Sequence, residues 1–115
     1  MLTKELAGAS ARPIMLSLLA GGPSYGYALT QRVHALSNGE IVWGDGTLYP
    51  VLHRLEDEGL ISSYWQDPET VRGRRRKYYQ LTPKGRESLA MERAQWLRVD
   101  AVLAQLWGLG PRLAE

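Results

Sequence analysis

The chain has 115 residues, 44% hydrophobic and 23% charged, the composition of one globular domain with a modest core. Its formal charge is only +2, from 14 Lys+Arg and 12 Asp+Glu, so any polyanion-binding surface must be a local gathering of cations. With no cysteine, disulfides and thiolate chemistry are excluded, which fits a reducing cytoplasm.

The elements follow in chain order. Ile14, Met15, Leu16, Leu18 and Leu19 predict a helix through about Ala20, stopped by Gly21-Gly22-Pro23. Pro13 is expected at its first position, after a loose arm. The apolar run from Pro13 to Ala20 is too short to span a bilayer and lacks a secretory leader pattern, so a cytoplasmic protein is expected. Ser24 is expected to cap a second helix to about Leu36, with Tyr27, Ala28, Leu29, Val33 and Leu36 on its apolar side. Ser37-Asn38-Gly39 ends it, with Asn or Gly able to turn left-handed. Ile41-Val42-Trp43 reads as a minimal strand, and Gly44-Asp45-Gly46 as a turn.

A third helix is predicted over roughly Thr47 to Glu58. Leu48, Val51, Leu52 and Leu55 form its buried stripe, leaving Tyr49, Pro50, His53, Arg54 and Asp57 outward. Gly59 closes it. Leu60 to Gln66 and Arg75 to Leu81 read as paired strands. Thr82 caps and Pro83 opens a last helix that runs to about Trp107.

The expected class is mainly α with a small β-hairpin (α+β). The order helix, helix, short strand, helix, hairpin, long helix describes a winged helix-turn-helix. Residues 1–81 would be the winged domain and 82–115 a dimerisation helix and tail, with the first helix able to join the interface. The run Arg72-Gly73-Arg74-Arg75-Arg76-Lys77 falls in the loop and second strand of the wing. Cations there, directly after an outward-polar helix, suit a line of phosphates. The acids Asp67 and Glu69 in the same loop argue against phosphate contact along all of it.

Several stretches also resemble the PadR family of bacterial transcriptional regulators. They are Ser24-Tyr25-Gly26-Tyr27, the run from Gly46 to Glu56, Glu58-Gly59-Leu60-Ile61, the run from Gly73 to Thr82, and Gly85-Arg86. The resemblance covers about residues 12 to 90. It implies a dimeric winged-helix DNA binder, most often a repressor relieved by a small-molecule effector, of the short class with one long C-terminal helix. It also implies that Ser24, Tyr25, Thr47, Tyr49, Pro50, His53 and Arg54, with Arg72, Arg74, Arg75, Arg76 and Lys77, meet double-stranded DNA at a palindromic operator.

Each candidate has a second use. Arg54 can hold a guanine bidentately, or pair along the helix with Asp57 or Glu58. His53 is a base or phosphate contact, or a plain surface histidine. Tyr49 contacts DNA, or packs partly against the wing. Alternation along a strand would let two or three wing cations face DNA at once. Phosphate contacts position the protein without specifying sequence.

The last helix carries more apolar surface than a small winged domain needs. Leu89, Trp96 and Leu103 recur every seven residues, Val99 and Leu106 take the offset position, and Trp107 widens the stripe. Pairing between two copies uses that stripe best, and a fold back onto its own domain is the alternative. By resemblance to short-class members that bind drugs, Trp96 would stack on flat, aromatic, often cationic compounds, with Glu92 or Asp100 nearby. No metal or cofactor site is expected, because His34 and His53 have no ligand partners at metal spacing. No phosphate loop or nucleophile motif is present, so an enzyme is not expected. The alternative function is a winged-helix protein–protein module without specific DNA binding.

Overall fold

The structure, a computed structural model, describes residues 2–67 and 74–109. Helix α1 spans Lys4–Ala20, strand β1 Ser24–Tyr25, helix α2 Gly26–Leu36 and helix α3 Asp45–Asp57. Strands β2 (Ile61–Trp65) and β3 (Lys77–Leu81) form the wing, and helix α4 spans Pro83–Leu106. The result is mainly helical with a small antiparallel sheet in the order β1-β3-β2.

Helix α1 starts nine residues before the position expected for Pro13 as its opening residue. Thr3 supplies the cap, accepting from the Leu6 N–H at 3.2 Å. A proline this deep removes one helical hydrogen bond. The residues just before it are nonetheless fixed, since Ala11 is buried in the core and Arg12 is held by carboxylates from two other helices. Tertiary anchoring therefore carries the helix through Pro13.

Ser24 does not cap α2. It lies in β1, and the extended residue before the helix is Tyr25, which makes no side-chain cap bond. Ser24 pairs with Tyr79 and Tyr25 with Tyr78, so β3 holds both residues extended. The strand expected at Ile41 to Trp43 does not form. Strand β3 is central, with β1 on one edge and β2 on the other, so the wing offers that segment no place beside β3. Trp43 instead inserts into the core, while Val42 is exposed.

Helix α2 buries Leu29 and Val33, but Tyr27 and Leu36 stand exposed, against expectation. Its end turns through left-handed Asn38 and Gly39, at φ 52° and 82°. Helix α3 begins at Asp45 rather than at Thr47, with Gly44 as its cap residue. Leu48, Leu52 and Leu55 are fully buried, and Val51 packs at the edge of the core. Each such leucine contributes about 1.5–3 kcal/mol of burial. Gly59, at φ 77°, ends the helix and lets the Leu60 N–H return to the Leu55 carbonyl at 2.9 Å. That tight stop brings β2 back beside α3.

Thr82 caps α4 as expected, accepting from the Gly85 N–H at 3.0 Å, with Pro83 in the first turn. Gly85 is buried against the Leu60 carbonyl, so close that a Cβ there would overlap it. Only Gly85 and Ala104 of α4 are buried. Among the described residues no helix is long and apolar enough to cross a membrane.

Candidate nucleic-acid interface

The outward face of α3, the start of α2 and the inner face of the wing enclose a recess of about 710 Å³. Tyr49 and His53 come from α3, and Tyr25, Gly26 and Tyr27 from the β1–α2 junction. Arg74, Arg75, Arg76 and Lys77 line the opposite wall. Strand β3 begins only at Lys77, so strand alternation does not govern the three arginines before it. All four described cations of the run therefore border the recess, more than alternation would allow. Arg72 lies outside the described residues.

These cations are held in different ways. The Arg75 Nε donates to the Gln66 carbonyl at 2.7 Å, which ties it to the wing backbone. The Arg76 guanidinium sits 4.4 Å from the centre of the Tyr25 ring. Tyr25 in turn meets Tyr78 edge-on at 5.4 Å, and Tyr78 stacks on Tyr64 at 5.7 Å. This tyrosine row crosses all three strands and braces the wing beneath Arg76. The Lys77 ammonium lies 5.9 Å from the Trp65 ring and 5.8 Å from that of Tyr79.

Trp65 was not among the expected contacts, yet it is 57% exposed and lines the recess beside Lys77. Its signal was the alternation Ile61, Ser63, Trp65, which puts it on the face of β2 that turns toward α3. Ser63 on that face donates to Glu56 of α3 at 2.5 Å. Tyr79 forms part of the floor. Burial, then the nearby Glu56 and Tyr49, push its phenol above the ordinary tyrosine value.

Helix α3 presents the rest. Tyr49 is partly packed, against Gly26 at the start of α2, where an added Cβ would come within 2.9 Å of its hydroxyl. Its ring still faces the recess. Thr47, Pro50, His53 and Arg54 are exposed. Among the described residues Arg54 is in no close ion pair; of its expected helix partners Asp57 and Glu58, Glu58 is bonded to Arg12, with the Arg54 charge adding to the lowering of its pKa. Ser24 is 9% exposed and pairs with β3 through its backbone, so its hydroxyl is withdrawn from the surface where it was expected.

Behind the interface, Arg12 of α1 joins the end of α3 to α4. Its Nη1 and Nη2 donate to the Glu58 carboxylate at 3.0 and 2.8 Å, and its Nε to Glu92 at 3.0 Å. These bonds raise the Arg12 pKa above its ordinary value, and the Arg12 hydrogen bond holds Glu58 below the usual glutamate range. The Ser88 hydroxyl donates to Glu92 as well, at 3.1 Å. Glu92 is thus bonded to α1 and to its own helix.

The remaining expected residues lie along α4. Leu89 packs against the core, and Leu103 and Asp100 are half-buried. Val99, Leu106 and Trp107 are exposed, and Trp96 is 40% exposed beside α1. Among the described residues no group of three or more His, Cys, Asp or Glu side chains could hold a metal ion.

The sequence pattern of the PadR-like transcriptional regulators matches residues 15–91, from the middle of α1 into α4. The chain belongs to the PadR family. It is similar to the transcriptional regulator Rv3488 of Mycobacterium tuberculosis, 39% identical over 90 residues that cover 78% of each chain. Among solved structures it resembles a transcriptional regulator from Clostridium thermocellum, at 28% identity and a TM-score of 0.80, covering 91% of this chain and 97% of that one. A PadR family regulator from Eggerthella lenta is 34% identical with a TM-score of 0.72, covering 90% and 86%. The protein is a PadR-family transcriptional regulator with the winged-helix fold of these relatives.

Proposed function

We propose that this PadR regulator binds double-stranded DNA as a homodimer at a palindromic operator, and represses until a small-molecule effector relieves it. One observation carries the reading. The cations Arg74 to Lys77 border the same recess as Tyr49 and His53 of α3, with Arg54 exposed on the same helix outside its lining. Tyr49, His53 and Arg54 would meet base edges in a major groove, while the wing cations hold the flanking phosphates. Arg54 is exposed and in no close ion pair among the described residues, which supports its use for guanine. Pairing of two α4 helices would place two such units about one DNA turn apart. An effector that favours one arrangement of the two winged domains would then shift operator affinity.

The test is a selection of bound sequences from random duplex DNA with the full chain. A two-fold symmetric enriched motif is expected. No enrichment, with binding that vanishes at physiological salt, would instead make the winged domain a protein–protein module.

A further inference from the structure

Trp65 ends strand β2 and pairs in register with Lys77 of β3. It stands outside the buried core cluster and is 57% exposed, so more than half of a large apolar side chain finds no cover within the chain. Its backbone is nonetheless fixed. The Gln66 N–H donates to the Arg76 carbonyl at 2.8 Å, and the Gln66 carbonyl accepts from the Arg75 Nε at 2.7 Å. The ladder and these two bonds hold an uncovered indole in one place, which lowers the entropy cost of using it in a contact.

The surroundings favour one kind of cover. Trp65 lines the same recess as the cations Arg74 to Lys77, with Tyr49 and His53 on the wall of α3. The Lys77 ammonium lies 5.9 Å from its ring. Among the described residues that line the recess there is no acidic side chain and no aliphatic one. An apolar protein surface laid on this indole would have to desolvate the cations around it. A DNA strand matches both, because its phosphates meet the cations and its sugars present apolar faces between them.

We infer that Trp65 is a DNA-contact residue of the wing, packing its indole on a deoxyribose between phosphates held by the neighbouring cations. The inference rests on the operator reading of the proposed function and adds to it a contact that is neither charged nor base-specific. A tryptophan buries a large area with few side-chain rotations to freeze, which suits such a contact. Being uncharged, it displaces no counterion from the phosphates. Every nucleotide of a duplex carries the same sugar, so the contact strengthens binding to all sequences alike.

The test measures the affinity of the full chain for a selected operator and for a scrambled duplex across a salt series, in the parent, Trp65→Ala and Trp65→Phe. Urea unfolding checks that each variant is fully folded under the assay conditions, as expected for a residue outside the core. Trp65→Ala should weaken both duplexes about tenfold and leave the slope of log K against log salt unchanged. Trp65→Phe should recover most of the loss. A Trp65→Ala protein that binds both duplexes as tightly as the parent would overturn the inference and leave the operator reading standing. A slope flattened by about one unit would also overturn it, because Trp65 would then act by holding Lys77. A loss confined to the operator would contradict the sugar contact and make Trp65 a base reader. A parent that binds neither duplex would remove the operator reading and this inference together.

Discussion

Helices α3 and α4 solve opposite problems. Helix α3 has 13 residues and buries three leucines in its own domain, so it needs nothing further to be stable. Helix α4 has 24 residues, of which only Gly85 and Ala104 are buried. Beyond its first turns it projects Val99, Val102, Leu106 and Trp107 into solvent. The polar face of α3 is spare because its apolar face is satisfied. The apolar face of α4 is spare because the domain is too small to cover it, and a stripe of that kind is characteristic of an interface. The contrast supports the proposal that DNA meets one helix and a second copy the other.

The largest expected effect separates the two helices by substitution. Leu52→Ala should cost about 2–5 kcal/mol in urea unfolding, as a cavity in a closed core does. Leu106→Ala, 74% exposed in one copy, should leave the fold intact but weaken self-association about tenfold or more by sedimentation equilibrium. A Leu106→Ala protein that associates as tightly as the parent would place self-association on a surface that does not use Leu106.

A pair of glycines sharpens the same contrast at the helix starts. Gly85→Ala in α4 should destabilise by about 1–3 kcal/mol, because the new methyl meets the Leu60 carbonyl and the Leu81 side chain. Gly46→Ala in α3 meets nothing within 4 Å and should be neutral, or stabilising by up to about 1 kcal/mol. Urea midpoints decide both.

The smallest effect is a pH dependence of the Arg12 bridge between the helices. Glu58 is held below its ordinary pKa in the folded state. Its contribution is therefore fully present above the ordinary glutamate value of about 4.3 and fades as pH falls through the lowered one. Both partners are partly exposed, so the loss should stay under about 1 kcal/mol. Arg12→Ala should flatten that part of the acid-unfolding profile. An unchanged acid limb would mean that the bridge contributes nothing to folding.

The sequence made α3, the wing and α4 legible because their signals are local. The leucine spacing of α3, Gly59 as a stop, and the Thr82-Pro83 start each act within a few residues. What was missed depends on partners far along the chain. Strand β1 is two residues long and exists only against β3, which also buries Ser24. Pro13 lies inside α1 because Arg12 is anchored to residues 46 and 80 positions away. The wing cations and the α3 face were readable at the interface. Trp65 is marked locally only by its alternation with Ile61 and Ser63, and Tyr27 reads as an apolar α2 residue until the opposite wall is in place.

In the proposed complex the wing cations that border the α3 recess hold DNA phosphates. The most direct measurement is the slope of log K against log salt for a selected operator, compared between the parent and Arg74→Gln/Arg75→Gln. Each lost phosphate contact should flatten the slope by about one unit, so the double variant should lose about two. A parent slope near zero, or a variant slope equal to the parent's, would contradict the claim.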